Sequence, residues 1–255
     1  ENGFTSSTTF ESRETTFTFS NNKTYSPQNS GALYGNKPIS LATAISYSDN
    51  IYAVKTHLFL GEETLVNMLN RVGINSKVEA IPSLALGSEE ISLIEMVRAY
   101  ATFANLGKKV NSKLIKRVED MNGNVLYENK DETETVLNKS LTYIINELLT
   151  STYNYDFIDY NYPTCYDITS KLTHKYAIKT GTTDKDHLIF GYNDDIVIGI
   201  WSGYDDNRDS EVGDGKYIKY VWADIAENYL KDKESKWYDL PSNVVGVLVD
   251  PIDRK

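Results

Sequence analysis

Three short β-rich runs, separated by turn residues, lie close together in the C-terminal third of this 255-residue chain. They span residues 176–182, 188–192 and 196–201. β-Branched and aromatic side chains fill them, and Gly, Asn and Asp occupy the turns between them. Connections this short can join only antiparallel neighbours, because parallel strands need a crossover of about a dozen residues or more. The pattern therefore predicts three consecutive antiparallel strands.

Amphipathic helices are predicted mainly in the middle of the chain. The apolar spacing and the capping residues place them at residues 41–47, 51–60, 62–72, 93–106 and 140–149. A later stripe of Ile218, Trp222, Ile225 and Tyr229 predicts one more helix, with this face packed on the sheet. Helices in the middle and strands towards the end indicate an α+β fold, in which a helical lobe lies beside an antiparallel sheet with flanking helices.

Three smaller elements complete the prediction. Residues 15–19 alternate as a strand does and lead into the polar turn 20–23. Asn122-Gly123 lies between two β-rich runs and favours a type I′ hairpin turn. Residues 244–249 are rich in valine and are predicted to form a final strand.

Composition excludes several classes of protein. The net charge of −10 and a pI near 4.9 argue against a nucleic-acid partner. The sequence contains no run of 18 apolar residues that could span a membrane, and no signal peptide opens it. One cysteine, Cys165, permits no internal disulfide, and the three histidines lack metal-ligand spacing. We therefore expect neither a metal site nor a cofactor.

The first strand of the β-rich region carries the sequence Lys179-Thr180-Gly181-Thr182. On a strand, this sequence places a cation and hydroxyl groups along one edge of a sheet, and the glycine lets a ligand backbone come close. Such an edge suits an anionic, peptide-like ligand. The tripeptide also occurs in ordinary turns, so it is weak evidence by itself.

A second motif, Ser48-Asp49-Asn50, lies 131 residues upstream of Lys179 (179 − 48). Together with Lys-Thr-Gly it is typical of serine acyltransferases that react with penicillin. Without the second motif, Ser48 and Asn50 would more simply be caps of the helix that starts at Ile51. The pair of motifs instead predicts that Ser48, Asn50 and Lys179 converge on one cleft between the helical lobe and the sheet.

With these motifs, the chain resembles the transpeptidase domain of class A penicillin-binding proteins over nearly its whole length. The matching segments are residues 2–4, 8–10, 23–27, 48–50, 52–54, 82–87, 99–105, 179–183, 203–208 and 249–251. The resemblance implies the fold shared by penicillin-binding proteins and serine β-lactamases. It also implies that residues 1–255 form one transpeptidase domain, incomplete at its N-terminus and without the first strands of the sheet.

The resemblance implies a bacterial, extracytoplasmic enzyme that cross-links peptidoglycan stem peptides. A serine would attack the D-alanyl-D-alanine terminus, release D-alanine and pass the acyl group to an amine of a second strand. β-Lactam antibiotics would acylate the same serine. In the family, a membrane anchor and a glycosyltransferase domain precede this domain in the parent chain.

The family's functional residues map onto both motifs. Ser48 would relay a proton to the leaving amine, Asn50 would bind the substrate amide carbonyl, and Lys179 would supply positive potential next to Ser48. The hydroxyls of Thr180 and Thr182 would bind the substrate carboxylate along the strand that contains Gly181. The backbone N–H of Thr182 would be one oxyanion donor.

The chain departs from the family in three places. The family usually has a glycine where Ile178 stands, and an aromatic residue is common where Leu188 stands. The nucleophilic Ser-x-x-Lys is also missing, because its one spacing match, Ser20 with Lys23, lies in a polar turn. We therefore expect that the nucleophile lies outside this sequence, that this chain alone is inactive, and that residues 196–201 form an unpaired edge.

Two other functions remain open on the sequence alone. A class A β-lactamase also carries Ser-Asp-Asn, although the gap of 131 residues is long for that compact fold. A non-catalytic scaffold or binding module would keep the fold and lack the nucleophile. Rapid turnover of a β-lactam by the full-length parent would favour the lactamase, and a long-lived acyl-enzyme would favour the synthase.

Overall fold

The computed structural model describes residues 2–130, 132–211, 213–250 and 252. Its helices are α1 (Leu41–Tyr47), α2 (Asn50–Leu60), α3 (Glu62–Arg71), α4 (Leu93–Ala104), α5 (Lys139–Leu149) and α6 (Asp214–Leu230). Its strands are β1 (Thr9–Ser12), β2 (Phe17–Thr18), β3 (Thr24–Tyr25), β4 (Lys37–Ser40), β5 (Lys108–Val110), β6 (Arg117–Glu119), β7 (Val125–Glu128), β8 (Thr133–Thr135), β9 (Ala177–Thr182), β10 (His187–Tyr192) and β11 (Val197–Ser202). Within this described part, every helix is too short or too polar to cross a membrane.

The three C-terminal strands form one antiparallel sheet in the order β11-β10-β9. Lys179 of β9 lies opposite Phe190 of β10, which in turn lies opposite Gly199 of β11. The prediction of three consecutive antiparallel strands is therefore confirmed. In the described residues both outer strands, β9 and β11, leave one edge unpaired.

Helix α6 covers one face of this sheet through a fully buried tryptophan. The indole of Trp222 donates a hydrogen bond to the Ile198 carbonyl oxygen (3.2 Å) and packs edge-on against Tyr176. The indole also lies directly over Gly191 of β10, where a Cβ would come within 2.1 Å of the ring. Glycine at this position is what lets the helix approach the sheet so closely.

The predicted packing face of α6 is wrong in part. Ile218 and Trp222 are buried as expected, but Ile225 and Tyr229 are 47% and 54% exposed. The other buried residues are Ala223, Ala226 and Leu230. Small alanines beside Trp222 let the helix backbone approach the sheet, so packing selects a face that is less bulky than the stripe of large apolar residues.

The opposite face of the sheet packs against the helical lobe. Tyr100 of α4 stacks on Phe190 of β10, with ring centroids 4.7 Å apart and planes 9° from parallel. Tyr192 of β10 donates a buried hydrogen bond to Asn146 of α5 (2.8 Å). These contacts fix the helices against the sheet, so that the α1–α2 junction lies across from β9. The combination confirms the α+β fold with a helical lobe.

The remaining predicted elements are partly confirmed. All five middle helices are present, and β2 pairs with β3 around the predicted polar turn. The hairpin at Asn122-Gly123 forms as β6 and β7, but its turn is not type I′. Gly123 has a positive φ of 82°, whereas Asn122 is not among the described residues with positive φ. Gly123 N–H donates to Asp120 O, which is typical of a three-residue loop that ends in a left-handed glycine.

The predicted strand at residues 244–249 is wrong. This segment is irregular, and four of its large side chains, Val245, Val247, Leu248 and Val249, are exposed, Leu248 completely so. A strand requires a neighbour that supplies hydrogen bonds, and in the described residues no edge pairs with this segment. The matching segment 249–251 ends at Pro251, which lies outside the described residues.

The contact between Gly191 and Trp222 generates a stability prediction. We expect Gly191→Ala to lower the free energy of unfolding by about 1–3 kcal/mol, because the added methyl group overlaps the buried indole. The measurement is urea unfolding followed by tryptophan fluorescence. Gly181→Ala is the matched control in the same sheet, since its Cβ would meet Leu188 at an ordinary 3.6 Å. Equal losses in the two variants would contradict the prediction.

Candidate active site

Ser48 lies at the junction between α1 and α2. Its backbone is left-handed (φ 54°, ψ 50°), a conformation that serine adopts only at a cost. The following residue, Asp49, is the N-cap of α2, and its carboxylate accepts a hydrogen bond from Tyr52 N–H (2.7 Å). Asp49 is therefore the residue that caps α2, so Ser48 and Asn50 are not needed as caps. The Ser48 hydroxyl remains available for another contact.

The carboxylate of Asp49 is buried and holds the junction in place. Besides the Tyr52 N–H, it accepts hydrogen bonds from the hydroxyl of Ser12 (2.5 Å) and the amide of Asn29 (2.7 Å). Ser12 belongs to β1, and Asn29 belongs to the loop that precedes β4. These hydrogen bonds offset the cost of taking the carboxylate out of water. Three separate segments are thus tied to the motif that contains Ser48.

Asn29 uses its whole side-chain amide to support this junction. Its Oδ1 accepts from the backbone N–H groups of Asn50 (2.9 Å) and Ile51 (3.2 Å). Its Nδ2 donates to Asp49 and to the Leu33 carbonyl (2.9 Å). Two N–H groups in the first turn of α2, which have no partner within the helix, are thereby satisfied. Asn29 therefore sets the position of the helix that begins directly after Ser48.

Lys179 of β9 reaches across from the sheet to Ser48. Its Nζ donates hydrogen bonds to Ser48 Oγ (2.7 Å) and to the carbonyl oxygen of Thr180 (2.7 Å). The prediction that these residues, 131 positions apart, come together is confirmed for this pair. The side chain of Asn50 instead donates to the Gln28 carbonyl (2.7 Å), on the same side of the junction.

Burial lowers the pKa of Lys179 to about 8, because desolvation disfavours the charged amine. Around neutral pH the amine is mostly protonated, and it loses its charge as the pH rises through about 8. The cleft therefore contains a cation that is poorly solvated, and such a cation interacts strongly with a nearby anion.

The edge of β9 next to this pair is open. Thr183 N–H donates to Asp186 O (2.9 Å), so the odd-numbered residues of β9 direct their backbone groups at β10. The N–H groups of Thr180 and Thr182 consequently face the other edge, which pairs with no strand in the described residues. A peptide-like ligand can add to such an edge. The predicted oxyanion donor, Thr182 N–H, lies on this edge.

Gly181 is not required by the protein's own packing. A Cβ there would meet Leu188 at 3.6 Å, which is ordinary contact. The absence of a side chain at this position therefore leaves room beside the open edge rather than room for a neighbouring residue. By contrast, Ile178, where the family usually has glycine, is fully buried in the core beneath α6.

Two other candidates for chemistry lie outside the site. Ser20 and Lys23 are exposed in the turn between β2 and β3. Cys165 is fully buried, and burial raises the pKa of its thiol to about 11, so that it is not a thiolate at neutral pH. Across residues 2–130, 132–211, 213–250 and 252, no three His, Cys, Asp or Glu side chains are grouped to hold a metal ion.

Comparison with known proteins agrees with this geometry. The family described as the penicillin-binding protein transpeptidase domain matches residues 1–212. The chain belongs to this family. The penicillin-binding protein 2D of Bacillus subtilis is 42% identical to it over 253 residues, covering 98% of this chain and 37% of the relative. The resemblance to transpeptidase domains of class A penicillin-binding proteins is confirmed.

Solved structures of penicillin-binding proteins share the fold. Penicillin-binding protein 1A from Haemophilus influenzae superposes with a TM-score of 0.89 at 24% identity, covering 98% of this chain and 43% of that one. PonA1 from Mycobacterium tuberculosis, in complex with penicillin V, superposes with a TM-score of 0.75 at 18% identity, covering 95% and 68%. The chain spans about a third of the length of the curated relatives it matches.

Sequence reasoning missed Asn29 in this penicillin-binding fold. It occurs in a turn-rich loop, 19 residues before Ser48, where asparagine is common and gives no signal of burial. The function of Asn29 follows from its four hydrogen bonds, which can be seen only in three dimensions.

The network around Asn29 generates a prediction about stability. We expect Asn29→Ala to lower the free energy of unfolding by about 2–4 kcal/mol, because it leaves two helix N–H groups and the Asp49 carboxylate short of partners. Gln28→Ala is the control, since residue 28 contributes its backbone carbonyl and should change stability by less than about 0.5 kcal/mol. Chemical denaturation measures both, and equal effects would show that Asn29 is not the support.

Proposed function

We propose that this chain is the transpeptidase domain of a serine acyltransferase that cross-links peptidoglycan stem peptides. The substrate is a peptide that ends in D-alanyl-D-alanine, and β-lactams act as its reactive mimics. The observation that carries the proposal is the hydrogen bond between Lys179 Nζ and Ser48 Oγ, which joins the two family motifs across the cleft. Membership of the transpeptidase family supports this function over a β-lactamase or a scaffold.

In this proposal Ser48 moves a proton rather than attacking the substrate. A nucleophilic serine adds to the penultimate D-alanine carbonyl, the amide C–N bond breaks, and the leaving D-alanine nitrogen takes a proton from Ser48 Oγ. Ser48 regains a proton from the attacking hydroxyl through the groups around it. The protonated Lys179, which donates to Ser48 Oγ, stabilises negative charge that develops on this path.

The open edge of β9 is proposed to bind the substrate. Its peptide backbone would pair with the outward-facing backbone groups of Thr180 and Thr182, and Gly181 leaves room for the approach. The hydroxyls of Thr180 and Thr182 would hold the terminal carboxylate near the charge of Lys179. Thr182 N–H would donate to the oxyanion. Asn50 would bind the substrate amide carbonyl after its amide leaves the Gln28 carbonyl.

The nucleophile is proposed to lie elsewhere in the parent protein. The Ser20–Lys23 pair is exposed to solvent between β2 and β3, so no buried environment activates a nucleophile there. Ser48 is engaged by Lys179. This chain is therefore proposed to supply the proton relay, the cation and the substrate edge, while another segment completes the acylation site and pairs with the free edge of β11.

The remaining partners are also proposals about the parent protein. It would carry a glycosyltransferase domain and a membrane anchor, and it would act on the extracytoplasmic face of the bacterial membrane. The penicillin V complex of PonA1, which shares this fold, supports β-lactams as ligands. The acidic net charge of −10 is consistent with a partner other than nucleic acid.

The assigned function of Lys179 can be tested by acylation. In the full-length parent we expect Lys179→Ala to slow acylation by benzylpenicillin by about 10²–10³-fold, because one donor at the developing charge is lost. The measurement is the second-order acylation rate with a fluorescent penicillin. Lys171→Ala is the matched control. Lys171 is an exposed lysine, and its ion-pair partner is Asp224 of α6 (2.6 Å between Nζ and Oδ1) rather than a residue of the site. An unchanged rate in Lys179→Ala would refute the proposal.

The pH profile separates charge from mere packing. The pKa of Lys179 is lowered to about 8, so its charge is present below this pH and lost above it. Acylation should therefore fall as the pH rises through about 8. In Lys179→Arg the guanidinium stays protonated across this range, so whatever activity remains should lose this fall. The same fall in both proteins would assign it to another group.

The proposed location of the nucleophile predicts that this 255-residue chain alone forms no covalent adduct with benzylpenicillin. Acylation needs a nucleophile beside a base. Ser20 is exposed in a turn, and Lys179, the neighbour of Ser48, is mostly protonated at neutral pH and donates to Ser48 Oγ rather than removing its proton. Intact-mass spectrometry after incubation measures the outcome. A stoichiometric adduct that Ser20→Ala abolishes would place the nucleophile at Ser20, and one that only Ser48→Ala abolishes would overturn the relay.

A further inference from the structure

A β-ribbon projects from the helical lobe between α4 and α5. We call residues 108–135 the arm. Its base is the pair β5–β8 and its outer part is the pair β6–β7, which hydrogen-bonds to no other strand in the described residues. Large apolar side chains are exposed along the outer part, at Leu114, Ile115, Val118, Met121, Val125, Leu126 and Tyr127. So many exposed apolar residues on one short segment are typical of an interaction surface.

The outer edge of β6 offers unpaired backbone groups. Asn129 N–H donates to Lys116 O (2.8 Å), and Asp120 N–H donates to Asn124 O (2.9 Å). Even-numbered residues of this strand therefore direct their backbone groups at β7. By alternation, the N–H and C=O groups of Arg117 and Glu119 point to the outer edge. This edge is an open template for another strand.

The sequence along this edge is complementary to itself. If two copies of β6 pair antiparallel with Val118 on the two-fold axis, Arg117 lies opposite the partner's Glu119, and Glu119 opposite the partner's Arg117. The same register places Lys116 opposite the partner's Asp120. Opposite charges in directly facing positions stabilise an antiparallel pair, and like charges there destabilise it. Each charged residue of this edge thus meets its complement in a second copy, in addition to the ion pairs that Arg117 makes with Glu119 and Glu128 of its own chain.

The backbone and the apolar residues agree with the same register. Arg117 and Glu119 have the outward-facing backbone groups, so each pair would exchange two N–H···O bonds across the axis. Val118 and the partner's Val118 would then form the close, non-hydrogen-bonded pair. Within one chain Tyr127 lies opposite Val118. The pairing would therefore extend one apolar row across four strands, from Tyr127 to the partner's Tyr127.

The net charge of the chain makes the arm a favourable place for two copies to meet. The arm contains six basic and six acidic residues, so it is neutral, whereas the whole chain carries −10. Two copies would repel each other elsewhere on their surfaces and least at the arm. One paired strand per copy also buries less than the roughly 1,200 Å² of a stable interface, so the association is expected to be weak.

We propose that the outer edge of β6 pairs antiparallel with the same edge of a second copy of this chain, with the two-fold axis at Val118. The resulting four-stranded sheet is an isologous interface, in which the same residues act on both sides. It brings two domains together through a part of the molecule other than the cleft between Ser48 and Lys179.

Disulfide trapping tests the register directly. In the full-length protein, Val118→Cys should form a cross-linked dimer under mild oxidation, because Cα atoms of a non-hydrogen-bonded pair lie about 4.5 Å apart, within disulfide range. The native Cys165 is buried and does not compete. Leu126→Cys, exposed on the neighbouring strand β7, is the matched control. We expect at least tenfold more dimer from Val118→Cys, and equal yields would overturn the proposal.

Charge reversal tests the partner. In the Val118→Cys background, Arg117→Glu alone and Glu119→Arg alone should each lower the dimer yield at least fivefold, and the two together should restore it. Circular dichroism checks that each variant remains folded. Failure of the double reversal to restore the dimer would overturn the proposal. Binding of the arm to vesicles of anionic lipid, without a cross-link at Val118, would assign the arm to a membrane instead and would equally overturn it.

Discussion

The candidate site depends on one buried carboxylate. Asp49 accepts hydrogen bonds from Ser12, Asn29 and Tyr52, and so it joins β1, the loop before β4 and the first turn of α2. Removing such a group from water is costly unless its oxygens accept hydrogen bonds, and here both oxygens do. The junction that results has little freedom, and this is why Ser48 can be held in a left-handed conformation that serine would otherwise avoid.

The second half of the site is fixed by packing rather than by polar bonds. Trp222 lies on Gly191, and Tyr100 stacks on Phe190, so the middle strand of the sheet is held from both sides. Lys179 lies opposite Phe190 in the neighbouring strand, and this register fixes where along the sheet its side chain begins. The bond between Lys179 and Ser48 therefore joins two parts that are each rigid for a different reason. Pre-organisation of this kind is what electrostatic catalysis requires.

Local patterns predicted the elements well where each segment's own residues specify it. The strands of the C-terminal sheet are rich in β-branched and aromatic residues and are separated by turn residues. Ser40 and Ser92 are the N-caps of α1 and α4, as their positions in the sequence predict. Local patterns failed where a partner decides the outcome. Residues 244–249 have strong β-propensity, but among the described residues no strand edge pairs with them, and they are irregular. On α6 the large side chains of Ile225 and Tyr229 were expected to face the sheet. The alanines beside Trp222 are buried there instead, because small side chains pack more closely.

The sequence by itself determined the family, the antiparallel sheet and the two motifs that meet in the cleft, because each of these is written in the spacing of a few residues. Only the tertiary structure decided which atoms meet. It engages Ser48 with Lys179, gives the capping function to Asp49 and recruits Asn29 from a loop that carries no signal. The physical reason is that hydrogen bonds and burial depend on distances between segments far apart in the chain, and no local pattern encodes those distances.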